Sequence, residues 1–231
     1  MREYDVYAYG MISSSTLHIL APDFSFPPSD GYGEIKETCR MIGGEAANSS
    51  IVLSNLGCRV KIDGNWLGDD EKGASVIEIL KKYGINTTSL RRKSGYRGVE
   101  EIVFSDKKTR TVFGTYCHLL FTEKQWNSPG KEDIRKARIV CVDPFFKDDS
   151  LLAARYASAF SIPYVTVDVK PDDPLACHAA VFIISGEFRR REYPEREMSL
   201  LLTEYTNGTD GVVIFTSGES DILYQEHGKG Q

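Results

Sequence analysis

Short apolar runs alternate along this chain with segments in which apolar residues recur at helical spacing. Residues 6–10 form a β-prone run that ends in glycine, which predicts a buried first strand. Over residues 45–57 the apolar positions follow a period of 3.6, and a glycine closes the segment as it closes many helices. A strand over 59–66 and a capped helix within 69–84 follow. This part of the chain is therefore predicted to run strand, helix, strand, helix.

The same alternation resumes in the second half of the chain. Strands are predicted over 138–142, 164–169, 180–184 and 211–216, with helices over 150–160 and near 195–206. Residues 222–224 resemble the start of one more strand. Repeated units of strand and helix favour a mostly parallel sheet with helices on both faces. We therefore predict an α/β fold, a three-layer αβα Rossmann-like sandwich.

A second group of predicted strands interrupts this alternation. Residues 16–21 and 34–42 have mixed polarity, and a loop rich in proline, aspartate, serine and glycine separates them. Two alternating segments within 97–116 flank a polar turn and predict a hairpin with one polar face. These strands are expected to form a small β lid on a single α/β domain that spans residues 1–231.

Composition and charge narrow the functional classes. Hydrophobic residues make up 41% of the chain and charged residues 26%, the usual balance for a globular protein. The net charge of −5 predicts no general attraction to nucleic acid or to a membrane surface. The charged start does not resemble a signal peptide, and no run approaches the roughly 20 apolar residues that a bilayer requires. Because the five cysteines are scattered and no zinc-ligand spacing occurs, we expect a cytoplasmic protein without a structural metal.

The most informative polar motif is Gly43-Gly44 followed by Asn48, between a predicted strand and a predicted helix. Paired glycines let a ligand approach the backbone closely, and the free N–H groups at a helix start face such a ligand. Asn48 offers both a donor and an acceptor to a hydroxyl group. A tight turn without any ligand is the alternative interpretation of the glycine pair. The segment lacks the Walker A pattern.

The order of several motifs carries more information than any one of them. In chain order the motifs are Gly43-Gly44-x-x-x-Asn48, Leu56-Gly57, Leu67-Gly68-Asp69-Asp70-x-x-Gly73, Gly84-Ile85-Asn86, Val165-Thr166-Val167-Asp168 and Thr216-Ser217-Gly218-Glu219. This series resembles the ribokinase-like, PfkB-type carbohydrate kinases over essentially the whole chain, with more specific motifs in the first half. The resemblance implies a phosphotransferase that uses ATP and Mg²⁺ to phosphorylate a sugar or a sugar-like alcohol.

The resemblance also implies roles for individual residues. The candidates are Ser15, Gly43, Gly44, Asn48 and Arg110 for the sugar, Asp168, Lys170, Thr216 and Gly218 for the nucleotide, and Glu187 for the metal. Ser15 stands about where the family has an aspartate, and Glu187 keeps an acid without the family's N-x-x-E spacing. The alternatives are a plain surface role for Glu187 and an ion pair of Arg110 with Glu100 or Glu101.

The family's late motif, a Gly-Ala-Gly-Asp segment that supplies an anion hole and the catalytic base, does not occur in this sequence. The base is therefore expected beyond Gln231, in a carboxyl-terminal part missing from this chain, so that the chain as given is expected to be inactive. A sugar- or nucleoside-binding member of the fold without catalysis is the main alternative. A dinucleotide-dependent enzyme is a weaker one, because no G-x-G-x-x-G follows the first strand.

The predicted lid also suggests a partner chain. Apolar outer positions on its strands, such as Leu17, Ile19 and Val112, favour a homodimer through the lid if they face away from the domain. They would equally cover the domain's own cleft. The sequence favours neither arrangement, and the small-molecule sugar is the other expected partner.

Overall fold

The computed structural model describes residues 2–106, 108–117, 122–218 and 220–229. Its main elements are two sheets, one of seven strands and one of four. The strands of the central sheet are β1 (Tyr4–Gly10), β4 (Val60–Gly64), β9 (Ala137–Val142), β10 (Tyr164–Val167), β11 (Val181–Ile184), β12 (Val212–Phe215) and β13 (Leu223–Glu226). Those of the smaller sheet are β2 (Ser13–Leu20), β3 (Ile35–Gly43), β7 (Glu100–Ser105) and β8 (Arg110–Gly114). In addition, β5 (Leu67–Gly68) and β6 (Arg92–Lys93) form a short parallel pair.

The central sheet has the order β13, β12, β11, β10, β9, β1, β4. Its described neighbours pair in parallel, except that β13 is antiparallel to β12. Parallel strands need crossover connections, and those connections place helices on the faces of the sheet. The predicted mostly parallel α/β sandwich is confirmed.

Helices cover both faces of the central sheet. They are α1 (Glu45–Asn55), α2 (Glu71–Lys82), α3 (Lys131–Lys136), α4 (Asp148–Ala159), α5 (Gly186–Glu192) and α6 (Met198–Asn207), and a 3₁₀ turn spans Pro144–Phe146. Val6 and Ala8 of β1 belong to the core that includes residues of α1 and α2, whereas Tyr7 and Tyr9 belong to the core that includes residues of α3 to α6. Because successive strand residues point to opposite faces, these cores lie on the two sides of the sheet. None of the helices described is long and apolar enough to span a bilayer.

The four-stranded sheet, called the lid sheet below, has the order β3, β2, β7, β8. Only Met11 and Ile12 separate β1 from β2, so the chain passes directly from the central sheet into the lid sheet. The hairpin of β7 and β8 pairs with β2 and not with a strand of the central sheet. The predicted strands 16–21 and 34–42 correspond to β2 and β3, whose ends differ from the prediction by one to three residues.

Ion pairs connect the lid sheet to α2. Glu100 on β7 lies 2.7 Å from Lys72 Nζ and 2.8 Å from Arg97 Nε. These two cations lower the pKa of Glu100, with the Arg97 hydrogen bond as the largest cause. The Glu100 side chain is only 12% exposed, so solvent screens these pairs less than the open Arg40–Glu71 pair between β3 and α2. The base of the lid sheet is thereby held against the α/β domain.

Two short helices lie in segments for which the sequence pattern predicts no element. α3 has six residues and α5 has seven, so neither is long enough to build a recognisable apolar stripe. The residues 222–224, by contrast, mark the position of β13 as predicted. Length is the reason for the difference, because a four-residue strand already shows alternation whereas a helical face needs several turns.

Candidate functional site

Polar residues follow directly after the parallel strands of the central sheet. Because the strands are parallel, their carboxyl ends meet at one edge, which is where ligands of open α/β sheets bind. The residues at this carboxyl edge are Asn65 after β4, Asp143 after β9, Asp168 after β10, Ser185 after β11 and Thr216 after β12. The lid sheet begins at the same edge, two residues after β1. The candidate site is therefore the region between the carboxyl edge and the lid sheet.

Side chains from two neighbouring strands fix the turn that joins β1 to the lid sheet. The Met11 N–H donates to Asp143 Oδ2 at 2.6 Å. The Asn65 side chain accepts from the Ile12 N–H at 2.8 Å and donates to the Ile12 carbonyl at 2.9 Å. Since Asn65 and Asp143 are both buried, these bonds satisfy the backbone of the turn where water cannot. The start of the lid sheet is therefore rigidly placed relative to the carboxyl edge.

Asp143 is a carboxyl group with almost no solvent contact, only 3% exposed. Burial, followed by the charge of Glu45, raises the pKa of Asp143 to about 8, although hydrogen bonds from the Met11 and Phe145 N–H groups oppose the shift. A Cβ on Gly10 would overlap the Asp143 carboxylate, so glycine is required at the end of β1. Asp143 and Gly10 therefore act together in shaping this end of the site.

The predicted pair Gly43-Gly44 lies where β3 leads into α1, against the same turn. Gly44 is the N-cap of α1 with φ 90° and ψ 147°, a conformation that is essentially limited to glycine. A Cβ on Gly44 would overlap the Met11 carbonyl, and a Cβ on Gly43 would overlap the Glu101 carboxylate. Among the described residues, no side chain forms a capping hydrogen bond at the start of α1. Close approaches on both sides, and not only a tight turn, therefore require the two glycines.

The first turn of α1 faces the candidate site with polar side chains. Asn48 is exposed there. Glu45 also reaches solvent, yet its pKa is raised by desolvation and further by the charges of Glu101, Asp168 and Glu187. Charges interact appreciably only over limited distances, so these carboxylates surround one region. The mouth of α1 thus lies between the lid sheet and the carboxyl edge.

Ser15 lies on the lid sheet close to the glycine pair. It is buried, and it stands opposite Met41 on β3 and Glu101 on β7. Ser13, two residues earlier on the same face, stands opposite Gly43. Of the residues predicted to bind the sugar, the structure therefore brings Ser15, Gly43, Gly44 and Asn48 together.

Arg110 is not brought to this group. It stands opposite Ser105 at the outer end of the β7–β8 hairpin, whereas Gly114 stands opposite Glu101. Four residues of strand at about 3.3 Å each separate Arg110 from that row by roughly 13 Å. Among the ion pairs of the described residues, none joins Arg110 to Glu100 or Glu101, and Glu100 pairs with Lys72 and Arg97.

On the nucleotide side, Asp168 is tied to the start of α5. Its carboxylate accepts from the Ser185 N–H at 2.6 Å and from the Ser185 hydroxyl at 2.8 Å. Ser185 in turn accepts from the Phe188 N–H at 3.0 Å and so caps α5. Thr216 is adjacent, since its N–H donates to the Ile184 carbonyl at 3.0 Å. Asp168 and Thr216 share this part of the carboxyl edge, and a direct contact of either with a nucleotide stays a prediction.

The remaining candidates lie on the surface around the same edge. Glu187 is exposed in the first turn of α5. Lys170 is exposed and lies 3.8 Å from Glu192, a distant ion pair. Gly218 has φ 64° with open space around its Cβ position, and Glu219 lies outside the described residues. The metal role of Glu187 and the nucleotide roles of Lys170 and Gly218 stay predictions.

Sequence reasoning missed Asn65, Asp143 and Tyr116, which all contribute to this region. Asp143 directly follows the predicted strand 138–142, so its place at the carboxyl edge was available from the pattern. Asn65 was missed because the predicted strand 59–66 includes it, so the sequence pattern placed it inside the strand and not at the carboxyl edge. Tyr116, whose hydroxyl bonds to Glu101, carries no local signal.

A cavity of about 310 Å³ lies elsewhere, between α4 and the segment that follows β10. Its lining includes Leu151, Arg155, His178 and Tyr164. Tyr164 is the first residue of β10, so this cavity is near the amino end of that strand and away from the carboxyl edge. It involves none of the candidate residues.

Comparison with known proteins gives a family and a fold. Residues 20–163 match the pfkB family carbohydrate kinase model, which is more than half of the chain. A putative ribokinase from Agrobacterium tumefaciens has a similar structure, with TM-score 0.79 and 22% identity over 98% of this chain and 74% of that one. The Arabidopsis thaliana ribokinase complexed with ribose and ATP gives TM-score 0.77 and 14% identity over 98% and 76%. The fructokinase of Halothermothrix orenii gives TM-score 0.78 and 17% identity over 97% and 84%.

At such identities the solved structures establish the fold alone, which is the ribokinase fold in each of these cases. The family match rests on the segment that contains the glycine pair, the lid hairpin and Asp143. The chain therefore belongs to the pfkB family of carbohydrate kinases.

Proposed function

We propose that this protein is a carbohydrate kinase that transfers the γ-phosphoryl group of ATP to a hydroxyl of a sugar or a sugar-like alcohol. The single observation that carries the proposal is the position of Gly43 and Gly44, at the uncapped start of α1 and between the lid sheet and the carboxyl edge. Phosphoryl transfer depends mainly on positioning and on electrostatic stabilisation. A site closed by a lid also keeps water from competing with the sugar hydroxyl.

The sugar would bind at the mouth of α1. Asn48 would donate to one hydroxyl and accept from another, and the N–H groups of the first helical turn would face the sugar oxygens. Ser15 would contribute from the lid sheet. Residues 1–231 would belong to one ribokinase-like domain, with the lid sheet as the cover of the site.

The nucleotide would bind along the ends of β10, β11 and β12, next to Asp168, Lys170, Thr216 and Gly218. Among the described residues no group of three or more histidine, cysteine, aspartate or glutamate side chains is arranged to hold a metal by itself. Mg²⁺ is commonly held by one or two carboxylates together with waters and substrate phosphates, so the exposed Glu187 fits such a role. The ion, when bound, would neutralise phosphate charge.

Asn48→Ala is expected to weaken the binding of neutral sugars about fivefold, because one side-chain hydrogen bond to a ligand contributes roughly 1 kcal/mol. Titration calorimetry with D-ribose, D-fructose and D-glucose measures the effect. Ser49→Ala on the same helix is the matched control, since the Ser49 hydroxyl bonds to the helix backbone. Failure of the unchanged protein to bind any sugar would contradict the proposed function.

Catalysis requires a base, and the Gly-Ala-Gly-Asp segment that would supply it by resemblance to the family does not occur in this sequence. We therefore expect the 231-residue chain to bind sugar and ATP without releasing ADP. Reading the gene past the codon for Gln231, and adding to the expressed chain any coding sequence found there, tests this expectation. ADP release by the extended chain supports the kinase, whereas binding without ADP release supports the non-catalytic sugar- or nucleoside-binding alternative.

A homodimer through the lid sheet would also fit the exposed apolar positions. Leu17, Val103 and Val112 lie side by side across the lid sheet, and Val112 is 43% exposed. Sedimentation at micromolar concentration is expected to give a dimer that Val112→Glu converts to a monomer, because a buried unpaired charge opposes association. A monomer of the unchanged protein would contradict this arrangement.

A further inference from the structure

Glu101 is a carboxylate of the lid sheet that points to the glycine pair. It stands opposite Ser15 on β2 and Gly114 on β8, and all three lie on the same face of the sheet. Its carboxylate occupies the space that a Cβ of Gly43 would take. It also contributes to the raised pKa of Glu45 on α1. Glu101 therefore faces the candidate sugar site from the lid side.

The Tyr116 hydroxyl holds this carboxylate in place by donating a hydrogen bond to Glu101 Oε2. Burial, followed by this hydrogen bond, raises the pKa of Tyr116 far above its ordinary value. The phenol therefore stays protonated and remains a donor at physiological pH. One oxygen of Glu101 is thus occupied, while the other is next to Gly43.

A second polar group, the Ser13 hydroxyl, lies at this point. The Ser13 side chain is fully buried, and among the described residues its hydroxyl makes no hydrogen bond of acceptable geometry, although the Tyr116 hydroxyl is nearby. Ser13 Oγ lies 2.6 Å from the Cβ position of Gly43, on the same side as the Glu101 carboxylate. A buried polar group without a partner is unfavourable and commonly marks a place that a ligand or water completes.

The charge around Glu101 differs from that around its neighbour Glu100. Glu100 points to the opposite face and pairs with Lys72 and Arg97, which neutralise it. The ion pairs found among the described residues include none for Glu101 or for Glu45. Within the part of the chain that the structure describes, the mouth of α1 therefore carries two carboxylates without an ion-pair partner, and an anionic group placed there would be repelled.

We propose that Glu101, held by Tyr116, is a substrate-binding carboxylate that accepts hydroxyl groups of the sugar and makes the site select uncharged polyols against sugar acids and sugar phosphates. The inference rests on the proposed function and deepens it. Carboxylates form charge-assisted hydrogen bonds with hydroxyl donors, and such bonds are about twice as strong as neutral ones. The same charge excludes an anionic substrate, so attraction and exclusion come from one residue.

Binding measured by calorimetry on matched pairs tests the proposal. The pairs are D-ribose with ribose 5-phosphate, D-fructose with fructose 6-phosphate, and D-glucose with gluconate. The unchanged protein is expected to bind at least one neutral sugar about tenfold or more tightly than its anionic partner. Glu101→Gln should weaken the binding of that neutral sugar by about 10- to 100-fold, because a charged acceptor becomes a neutral amide. It should also reduce the ratio between the affinities for the neutral sugar and for its anionic partner.

Two further variants separate this role from a merely structural one. Tyr116→Phe keeps the Glu101 carboxylate but removes the hydrogen bond that holds it. This variant should weaken the binding of the neutral sugar by about three- to tenfold and still bind it more tightly than its anionic partner. The double variant with Ser15→Asp and Glu101→Gln places a carboxylate on the neighbouring strand, about 4.8 Å away from position 101. It should restore part of the affinity for the neutral sugar and part of the preference over the anionic partner. Glu37→Gln, an exposed change on the outer part of β3, is the matched control and should alter neither.

The outcomes distinguish the inference from the function on which it rests. Equal binding of a neutral sugar by Glu101→Gln, or a preference of the unchanged protein for the anionic partner, overturns the role of Glu101 and leaves the sugar site intact. Absence of any sugar binding by the unchanged protein overturns both. If Glu101→Gln shows no thermal unfolding transition, it does not fold and its binding is uninformative. Tyr116→Phe is then the deciding variant, and unchanged binding of the neutral sugar by Tyr116→Phe overturns the proposal.

Discussion

Gly44→Ala is expected to lower the free energy of unfolding by about 4 kcal/mol and to abolish sugar binding. The backbone at Gly44, φ 90° and ψ 147°, lies in a region that is nearly closed to other residues and costs them about 1–3 kcal/mol. The new methyl group would also overlap the Met11 carbonyl. That carbonyl cannot withdraw, because the turn around it is fixed by Asp143 and Asn65. Overpacking of this kind adds about 1–3 kcal/mol.

Gly57→Ala is the matched control for this prediction. Gly57 has φ 89°, almost the same as Gly44, but nothing lies within 4 Å of its Cβ position. Only the backbone strain then applies, and a loss of about 1 kcal/mol is expected with sugar binding unchanged. Urea unfolding measures both variants, and calorimetry measures binding. Equal losses in the two variants would show that the contact with Met11 does not restrict position 44.

The stability of the protein is expected to fall as the pH rises from about 5 to about 8, because Asp143 then loses its proton in a buried position. Folding raises the pKa of Asp143 from 3.8 to about 8. A carboxyl group with a raised pKa contributes stability that is fully present below its unfolded value and is lost as the pH rises through the folded value. Between these two values the free energy of unfolding changes by up to about 1.4 kcal/mol per pH unit.

Asp143→Asn isolates this contribution, because asparagine does not titrate. Urea unfolding of both proteins near pH 5 and near pH 8 should give a difference that moves in favour of the variant as the pH rises. Other carboxyl groups titrate in both proteins and largely cancel in the difference. A difference that does not change with pH, or that moves in favour of the unchanged protein, would mean that Asp143 is already ionised at pH 5. The two Asp143 hydrogen bonds from backbone N–H groups would then outweigh its burial.

Local sequence patterns were sufficient to predict the helices and strands whose apolar positions recur with a regular period. The periodic apolar positions predicted α1 and α2, and Asp70 indeed accepts from the Gly73 N–H at the start of α2. The alternating segments within 97–116 predicted the β7–β8 hairpin. Helices of fewer than two turns, such as α3 and α5, gave no such pattern. Their starts depend on partners that are distant in sequence, as Asp168 is for Ser185.

The candidate site was only partly visible in the sequence. Gly43, Gly44 and Asn48 are close in the chain, so their motif could be read directly, whereas Arg110 was assigned to the site and lies at the outer end of the lid. Its place beside the hairpin turn followed from the pattern, whereas the distance of that turn from the glycine pair depends on how β2 pairs with β3 and β7. Glu101 lies one residue from Glu100, and the two look alike in the sequence. The pleat of β7 sends one to the α2 ion pairs and the other to the glycine pair.

The sequence by itself determined the order of the elements, the glycine pair and the family, because each of these depends on residues that are near one another along the chain. Only the tertiary structure decided which carboxylates face the site, which of them are neutralised and which glycines are required by a close approach. The physical reason is that burial, hydrogen bonding and charge pairing arise between segments that are distant along the chain, as for Met11 and Asp143, which are 132 residues apart. Such contacts fix pKa values and ligand preference, and no local pattern encodes them.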